Sequence, residues 1–299
     1  YISREIIRKE SESRDTTDTT GILYKTTIDE QSLRKAGIMF VAGVQIGRFA
    51  MLDGGIRIER FRRTLSEQSV FNDPYKNFEQ GVPYFLLRTT IDNLDKYPFP
   101  EKGQKHYISM GGANENIGAS ESFFKIEASS SQYYTIARRH TFFPQLKFLW
   151  ASDSLPDAER AYIGGAMPEE ESSETAVYNY LPFFGLAQRA LSGDIALLFR
   201  GNYRFMLKQK LYFTLTFDWG YAWTWNRQWA WDTRGFSTAK NIYNEFIDKA
   251  PVGIGVGIAY NSLIGPVRFS WGRLLRNRFA SELNIKSGNQ LYLSIGHDF

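Results

Sequence analysis

Two arginines and two aspartates stand where an extended chain can bring them together. Arg200 and Arg204 lie on one side of an alternating stretch, 195–207, with Asp194 just before it. Asp218 lies on the corresponding side of the next stretch, 211–225, and Lys208-Gln209-Lys210 between them reads as a tight turn. Residues two apart on a strand share a face, so a hairpin here gathers four charges on one side. Such a set can form charge-assisted hydrogen bonds that anchor a folded-in segment, or it can line a pore. The plain alternative is the ordinary polarity of a wetted strand face.

Other constellations are weaker. His106, His140 and His297 are the only histidines, and none has a partner at metal-ligand spacing. Glu169, Glu170, Glu171 and Glu174 form an acidic cluster that reads as solvated loop rather than a cation site. Gly111-Gly112 and Gly164-Gly165 precede neither a helical pattern nor a lysine, so neither reads as a phosphate cradle. There is no cysteine, hence no disulfide frame and no thiolate metal site. These readings give no cofactor and no metal. With a net charge of +4 and charges of both signs interspersed, nothing marks a nucleic-acid footprint. Trp223, Trp225, Trp229 and Trp231 form a cluster that fits either a partner surface or an interfacial girdle running into a loop.

The elements that must carry these residues are long strands. From Leu211 the odd positions run Leu, Phe, Leu, Phe, Trp, Tyr, Trp, Trp, while the even ones carry Thr214, Thr216, Asp218 and Gly220. That is period two over about fifteen residues, against the usual 5–6 of a soluble strand. A membrane strand needs about 9–11 residues in the hydrocarbon alone. No apolar run reaches the roughly 18 residues of a membrane helix, so a spanning chain must use strands closed into a barrel. Aromatic residues at 16% beside charged residues at 23%, with a mean hydropathy of −0.36, suit an aromatic lipid belt around a polar lumen. Residues 252–260 alternate Val and Ile with Gly253, Gly255, Gly257 and Ala259. That nearly bare face predicts close approach by another segment. Eleven or twelve strands are expected from residue 36 onward, with long connections at 65–81, 153–192, 226–250 and 274–289. Residues 1–35 are poorly defined, and Arg8 to Thr20 reads as loop or linker.

Three motifs resemble the outer-membrane assembly-factor superfamily, also called the bacterial surface antigen family. Asp92, Asp95, Pro100 and Gly103 resemble its periplasmic turn. The long connection 153–192 resembles its sixth loop, which folds back into the barrel. The ending, a glycine-rich strand, then Gly265-Pro266-Val267-Arg268 and a last strand closing on Phe299, resembles its C-terminal insertion signal. The resemblance implies an all-β, transmembrane antiparallel barrel in a bacterial outer membrane. On this view residues 36–299 are the C-terminal part of a sixteen-stranded barrel whose first strands and periplasmic domains lie outside the sequence. It also implies lipid as surroundings, the barrel assembly machinery as partner during insertion, and a passenger or periplasmic domain.

The family's loop tip carries Val-Arg-Gly-Phe/Tyr; here the stretch is Pro182-Phe183-Phe184-Gly185, with Phe184 where Arg is expected and Arg189 four residues beyond Gly185. This tip looks more like the barrels of patatin-type phospholipases. A patatin hydrolase would need a Gly-x-Ser-x-Gly elbow, and the chain has none. Asp53-Gly54-Gly55 matches the second patatin motif by letters, but reads as a tight turn between strands 38–48 and 56–62. The chain is therefore expected to be no enzyme, but a barrel that anchors or translocates an associated domain. The alternatives are a protein insertase or secretion pore of the same superfamily, and a passive porin.

Overall fold

The computed structural model describes residues 2–14, 24–65, 77–119, 121–152, 155–156, 159–165, 180–187, 190–224, 244, 246–263, 265–276 and 289–295, with side chains from residue 36 except 61–65, 77–82 and 276. The first half of the chain forms β1 (Ile2–Arg14), β2 (Tyr24–Ile46), β3 (Ala50–Leu65), β4 (Asn77–Asp92), β5 (Gly103–Ala113), β6 (Phe123–Ile136), β7 (His140–Phe142) and β8 (Gln145–Ala151). Three short strands follow: β9 (Ala161–Ile163), β10 (Tyr180–Leu181) and β11 (Leu191–Gly193). The chain then runs through β12 (Ile195–Lys208), β13 (Leu211–Trp223), β14 (Val252–Ser262), β15 (Gly265–Arg276) and β16 (Gln290–Ile295). The long strands hydrogen-bond in chain order in a 13-stranded sheet, while β9, β10 and β11 form a separate three-stranded one. β7 and β8 lie end to end, both pairing with β6 and β12, and count as one stave. Among the described residues the large sheet is thus a twelve-stave antiparallel meander, and the eleven staves that reach residue 36 or beyond agree with the expected number.

The described residues belong to two compact units. The first contains the β1–β2 hairpin, paired in unbroken register from Ile2↔Ala36 to Arg14↔Tyr24. This corrects the reading of Arg8 to Thr20 as loop or linker: Arg8 to Arg14 are strand, and 15–23 lie outside the described residues. The hairpin is joined by a continuous backbone ladder, which forms whatever the side chains, so the charged and Thr-rich letters do not reveal it. Within the same unit the Arg57 guanidinium lies 4.4 Å from the centre of the buried Tyr84 ring.

The turn expected at Asp53-Gly54-Gly55 is displaced. Residues 47–49 make the turn, with Gly47 at φ +65°, and Asp53 to Gly55 lie inside β3. Gly55 is required there because a Cβ would stand 2.1 Å from the Phe40 carbonyl oxygen, a strand-interior reason for glycine that letters alone do not distinguish from a turn. In the second unit Asp53 is buried and bonded to Arg88 Nε at 2.6 Å.

That second unit holds β6 to β16 and shows the period-two sorting directly. On β13, Phe213, Leu215 and Phe217 face outward and are exposed, while Tyr212, Thr216, Asp218 and Gly220 face inward and are buried. β12 repeats this with Phe199 outward and Arg200, Asn202 and Arg204 inward. The outward belt continues through Ile258, Phe269, Leu291 and Leu293, the last 67% exposed. So continuous an apolar exterior is a lipid-facing surface, not a soluble one. Among the described residues no helix is long and apolar enough to cross a membrane. The tight turn at Lys208-Gln209-Lys210 forms as expected, with Lys210 at φ +69°.

The aromatic end of β13 is more than a girdle. Trp223 is buried, and Trp219 and Trp223 pack on Phe246 of a helical turn at 246–249, with ring centres 4.6 and 5.9 Å apart. Trp225, Trp229 and Trp231 lie outside the described residues.

If the odd face of β13 meets hydrocarbon, Leu215→Arg should destabilise folding into phospholipid vesicles by about 2–4 kcal/mol near the midplane. Thr214→Arg on the inward face should cost clearly less. Denaturant titration of vesicle-inserted protein checks both; equal costs would refute the assignment of faces.

Candidate functional site

Arg200 and Asp218 sit directly opposite each other across β12 and β13. Cross-strand partners on one face are close enough to bond, and here the pair is bidentate: Nε to Oδ1 at 2.6 Å and Nη2 to Oδ2 at 2.9 Å. Both side chains are withdrawn from solvent, Asp218 completely. What withdraws them is the segment between β10 and β11. Arg200 Nη2 also donates to the Pro182 carbonyl at 2.9 Å, and the Phe184 backbone N–H donates to Asp218 Oδ2 at 2.8 Å. The two wall charges neutralise one another and still offer a donor and an acceptor to the loop backbone. A buried pair carries little net stability when intact, but removing one member strands the other.

The ring of Phe184 occupies the bare glycine face that the sequence exposes. A Cβ at Gly255 would lie 2.6 Å from ring atoms, and one at Gly272 on β15 would lie 2.8 Å from them. A Cβ at Gly253 would strike the Phe184 carbonyl oxygen at 2.2 Å. Gly185 has φ +82°, and a side chain there would meet the β15 backbone at Leu274 N, 2.2 Å away. The missing side chains of β14 and β15 therefore make the seat, as the glycine pattern anticipates. Over the seat, the Arg200 guanidinium stands 5.4 Å from the Phe184 ring centre, and Tyr292 of β16 meets the ring edge-on at 5.4 Å. With its nitrogen toward the loop, the Gln290 amide donates to Leu186 O at 2.7 Å and accepts from Ala187 N at 3.0 Å.

The rest of the loop is fastened separately. Phe183 is fully buried and bonds Gly165 O through its N–H at 2.6 Å. Asp194, also fully buried, accepts from Leu155 N at 2.9 Å and from Arg160 Nε at 3.2 Å. Glu159 pairs with Lys125 of β6 at 2.6 Å, and Lys125 also reaches Glu127 at 2.7 Å. The described parts of 153–192 thus fold inward and pack on β6 and β12–β16.

Arg204 does not belong to this latch, contrary to the expectation that the four charges form one network. Four residues along β12 from Arg200 it is about 13 Å away, and it serves the 92–103 turn instead. It donates to the Pro100 carbonyl, and its guanidinium lies 5.4, 5.1 and 5.6 Å from the ring centres of Phe99, Phe143 and Tyr212. Phe99 stacks on Tyr212 at 4.4 Å and is buried. The turn's other motif residues shape it. Asp95 Oδ1 accepts from Glu101 N at 2.8 Å and Lys102 N at 3.1 Å, and Asp92 Oδ1 accepts from Leu94 N at 3.1 Å. Gly103 sits at φ +105° where a Cβ would meet Asn93 O at 2.4 Å.

Of the residues singled out in the sequence, Arg200, Asp218, Phe184 and Gly185 come together. Asp194 holds the loop at another point, and Asp92, Asp95, Pro100, Gly103 and Arg204 form a second centre. Arg189, Phe299, His297 and the acidic cluster at Glu169, Glu170, Glu171 and Glu174 lie outside the described residues. The sequence assigns no role to Gln290 or Tyr292, which sit in an ordinary final strand, while Phe99 and Phe183 are marked only by their places in the turn and loop-tip motifs. Among the described residues no group of three or more His, Asp or Glu could hold a metal.

The model of the Omp85 superfamily domain matches residues 83–299. No protein of curated function matches the sequence. Among solved structures, BamA from Haemophilus ducreyi lacking POTRA domains 1–3 is similar at 12% identity and TM-score 0.60, covering 98% of this chain and 59% of that one. CdiB from Escherichia coli is similar at 12% identity and TM-score 0.61, over 98% of this chain and 49% of that one. CdiB from Acinetobacter baumannii, at 11% identity, has a TM-score of 0.56 and 47% of its length covered. This chain thus spans about half to three-fifths of the solved chains it resembles.

The two centres should respond separately. Gly255→Val should expel the Phe184 ring and open residues 180–187 to protease, with no charge altered. Arg200→Ala should do the same and, by stranding Asp218, cost about 3–5 kcal/mol. Arg204→Ala should leave that cleavage unchanged while exposing the 92–103 turn. Limited proteolysis of the membrane-inserted variants reads all three, and loop release by Arg204→Ala would merge the centres again.

Proposed function

The chain belongs to the Omp85 superfamily, and from that membership and the latched loop we propose that it is a gated outer-membrane barrel that anchors or translocates an associated polypeptide domain, of patatin-like type. Omp85 barrels such as BamA and CdiB reside in the outer membrane of Gram-negative bacteria. In this reading residues 36–299 are barrel, joined in the same sheet by the strands of 1–35, and 153–192 is its infolded loop. The observation that carries the proposal is the seating of Pro182-Phe183-Phe184-Gly185 on Arg200, Asp218 and the glycine face. A packed, desolvated plug has no place in a passive porin, whose lumen stays wet. The Pro182-Phe183-Phe184-Gly185 tip resembles that of patatin-associated barrels, which supports the reading.

No catalysis by this chain is required. Lipid contact holds the strands, and the loop controls access along the inward face. Phe299 serves as the insertion signal read by the barrel assembly machinery, and Arg189 is a further candidate to supply the charge missing from the tip. A second reading, a pore or insertase acting on separate proteins, draws support from the loop's contacts to Gln290 and Tyr292 of β16, because releasing the loop would then loosen that strand.

Planar-bilayer recording on the full-length gene product tests the gate. The native protein should show low conductance with rare openings, and Gly255→Val should show steady large steps. Steady high conductance of the native protein would overturn the proposal. Sequence upstream of Tyr1 separates the readings: a Gly-x-Ser-x-Gly domain supports the first, and small tandem α/β domains without it support the second.

A further inference from the structure

We infer that the β6–β7 and β12–β13 turns form a binding surface for anionic phospholipid headgroups. Arg138 and Arg139 occupy the first turn and Lys208 and Lys210 bound the second, and all four are exposed. The turns are neighbours: Met206 N bonds Arg139 O at 2.9 Å, and Phe205 pairs with His140 across β12 and β7. No carboxylate is paired with any of the four among the described residues. On the neighbouring 92–103 turn two lysines are matched internally, Lys96 with Glu101 at 2.5 Å and Lys105 with Asp92 at 3.9 Å.

The geometry also keeps the cations from folding away. Ala137 and Arg138 both have positive φ, 51° and 59°, and Arg139 N bonds back to Ile136 O at 3.3 Å. That is the tight primed turn of a hairpin, which projects its side chains outward.

The level of the surface is set by the strands behind it. His140 Nδ1 is bonded to Tyr203 OH at 2.7 Å, and Phe142 and Phe205 pack beside them with ring centres 5.0 Å from Tyr203 and 4.9 Å from His140. A cluster of Tyr, His and Phe on an otherwise lipid-facing exterior marks the headgroup boundary. On the far side, Asn261 N bonds Lys210 O at 2.8 Å, and the following turn presents Leu263, 98% exposed. Four unpaired cations, an aromatic boundary beneath them and an apolar tip alongside make a complementary surface for a lipid with a charged phosphate head and apolar tails. Basic clusters at a bilayer surface gain their attraction from anionic lipid and lose it with screening salt. The short turns at this end place it on the periplasmic side.

The test uses the full-length protein in vesicles of phosphatidylcholine containing spin-labelled phosphatidylglycerol or spin-labelled phosphatidylcholine. Electron spin resonance should show phosphatidylglycerol preferred at the protein boundary, with the preference declining as salt rises. The combined variant R138Q/R139Q/K208Q/K210Q should lower that preference by at least about fivefold. K96Q/K105Q on the neighbouring turn should leave it unchanged. If the fourfold variant does not insert, R138Q/R139Q and K208Q/K210Q are measured singly, and each should lower the preference. No preference in the native protein, an unchanged preference in the variants, or displacement by soluble glycerol phosphate would each overturn the inference. The result is independent of whether the loop gates the barrel.

Discussion

A strand in hydrocarbon must give every backbone donor and acceptor to its neighbours, because no water is there to take them. That obligation fixes register, and register fixes which side chains meet lipid and which meet the interior. In this molecule it decides both halves of the story. Phe213, Leu215 and Phe217 are sent outward, and the same step of one residue sends Thr216, Asp218 and Gly220 inward. Slip β13 by one residue against β12 and Arg200 loses Asp218; slip β14 by one against β13 and its glycine face turns to lipid, leaving the loop nothing to sit on. Sheet, latch and seat depend on the same ladder.

What the ladder leaves inside is a set of charges that must be satisfied locally. The interior does not solve this with one extended network. Arg200 is neutralised across the strand by Asp218, and both then hold loop backbone. Arg204 is surrounded by three aromatic rings and takes a turn carbonyl. The difference follows from the residues opposite: Arg200 faces Asp218, but Arg204 faces Thr214, so its partners come from a turn far away in the chain. Near the loop's root, Glu159, Lys125 and Glu127 form another such group. Each of these charges is met at short range, as a poorly screened interior demands.

The strands were legible in the sequence wherever two different environments pulled on alternate residues. Residues 211–223 and 252–262 have lipid on one side and packed loop on the other, so their pattern is sharp. It fails at residues 2–14, whose charged letters do not reveal the backbone ladder they form with β2. The glycine face was legible as an approach but not as a seat for one particular ring, since spacing in sequence does not say which segment arrives. Phe184 and Gly185 were marked by motif position, whereas Gln290 and Tyr292 look like any residues of a final strand. Asp53-Gly54-Gly55 misled because glycine answers two needs, a positive φ and a missing Cβ, and letters do not separate them.

The seat for Phe184 is built from absent atoms, and this ties wall and loop together as an inherited unit. Loop tips of the wider family bring an arginine to the wall; here the wall already holds one at Arg200, with its buried carboxylate partner, Asp218, committed on both oxygens. An imported arginine tip would face a guanidinium rather than an acid, over a hollow shaped for a flat ring. Conversely, this tip on a wall with ordinary side chains at 253, 255 and 272 would have nowhere to lie. Exchange of loops between relatives, by recombination or by design, is therefore constrained to partners that change β14 and β15 in the same event.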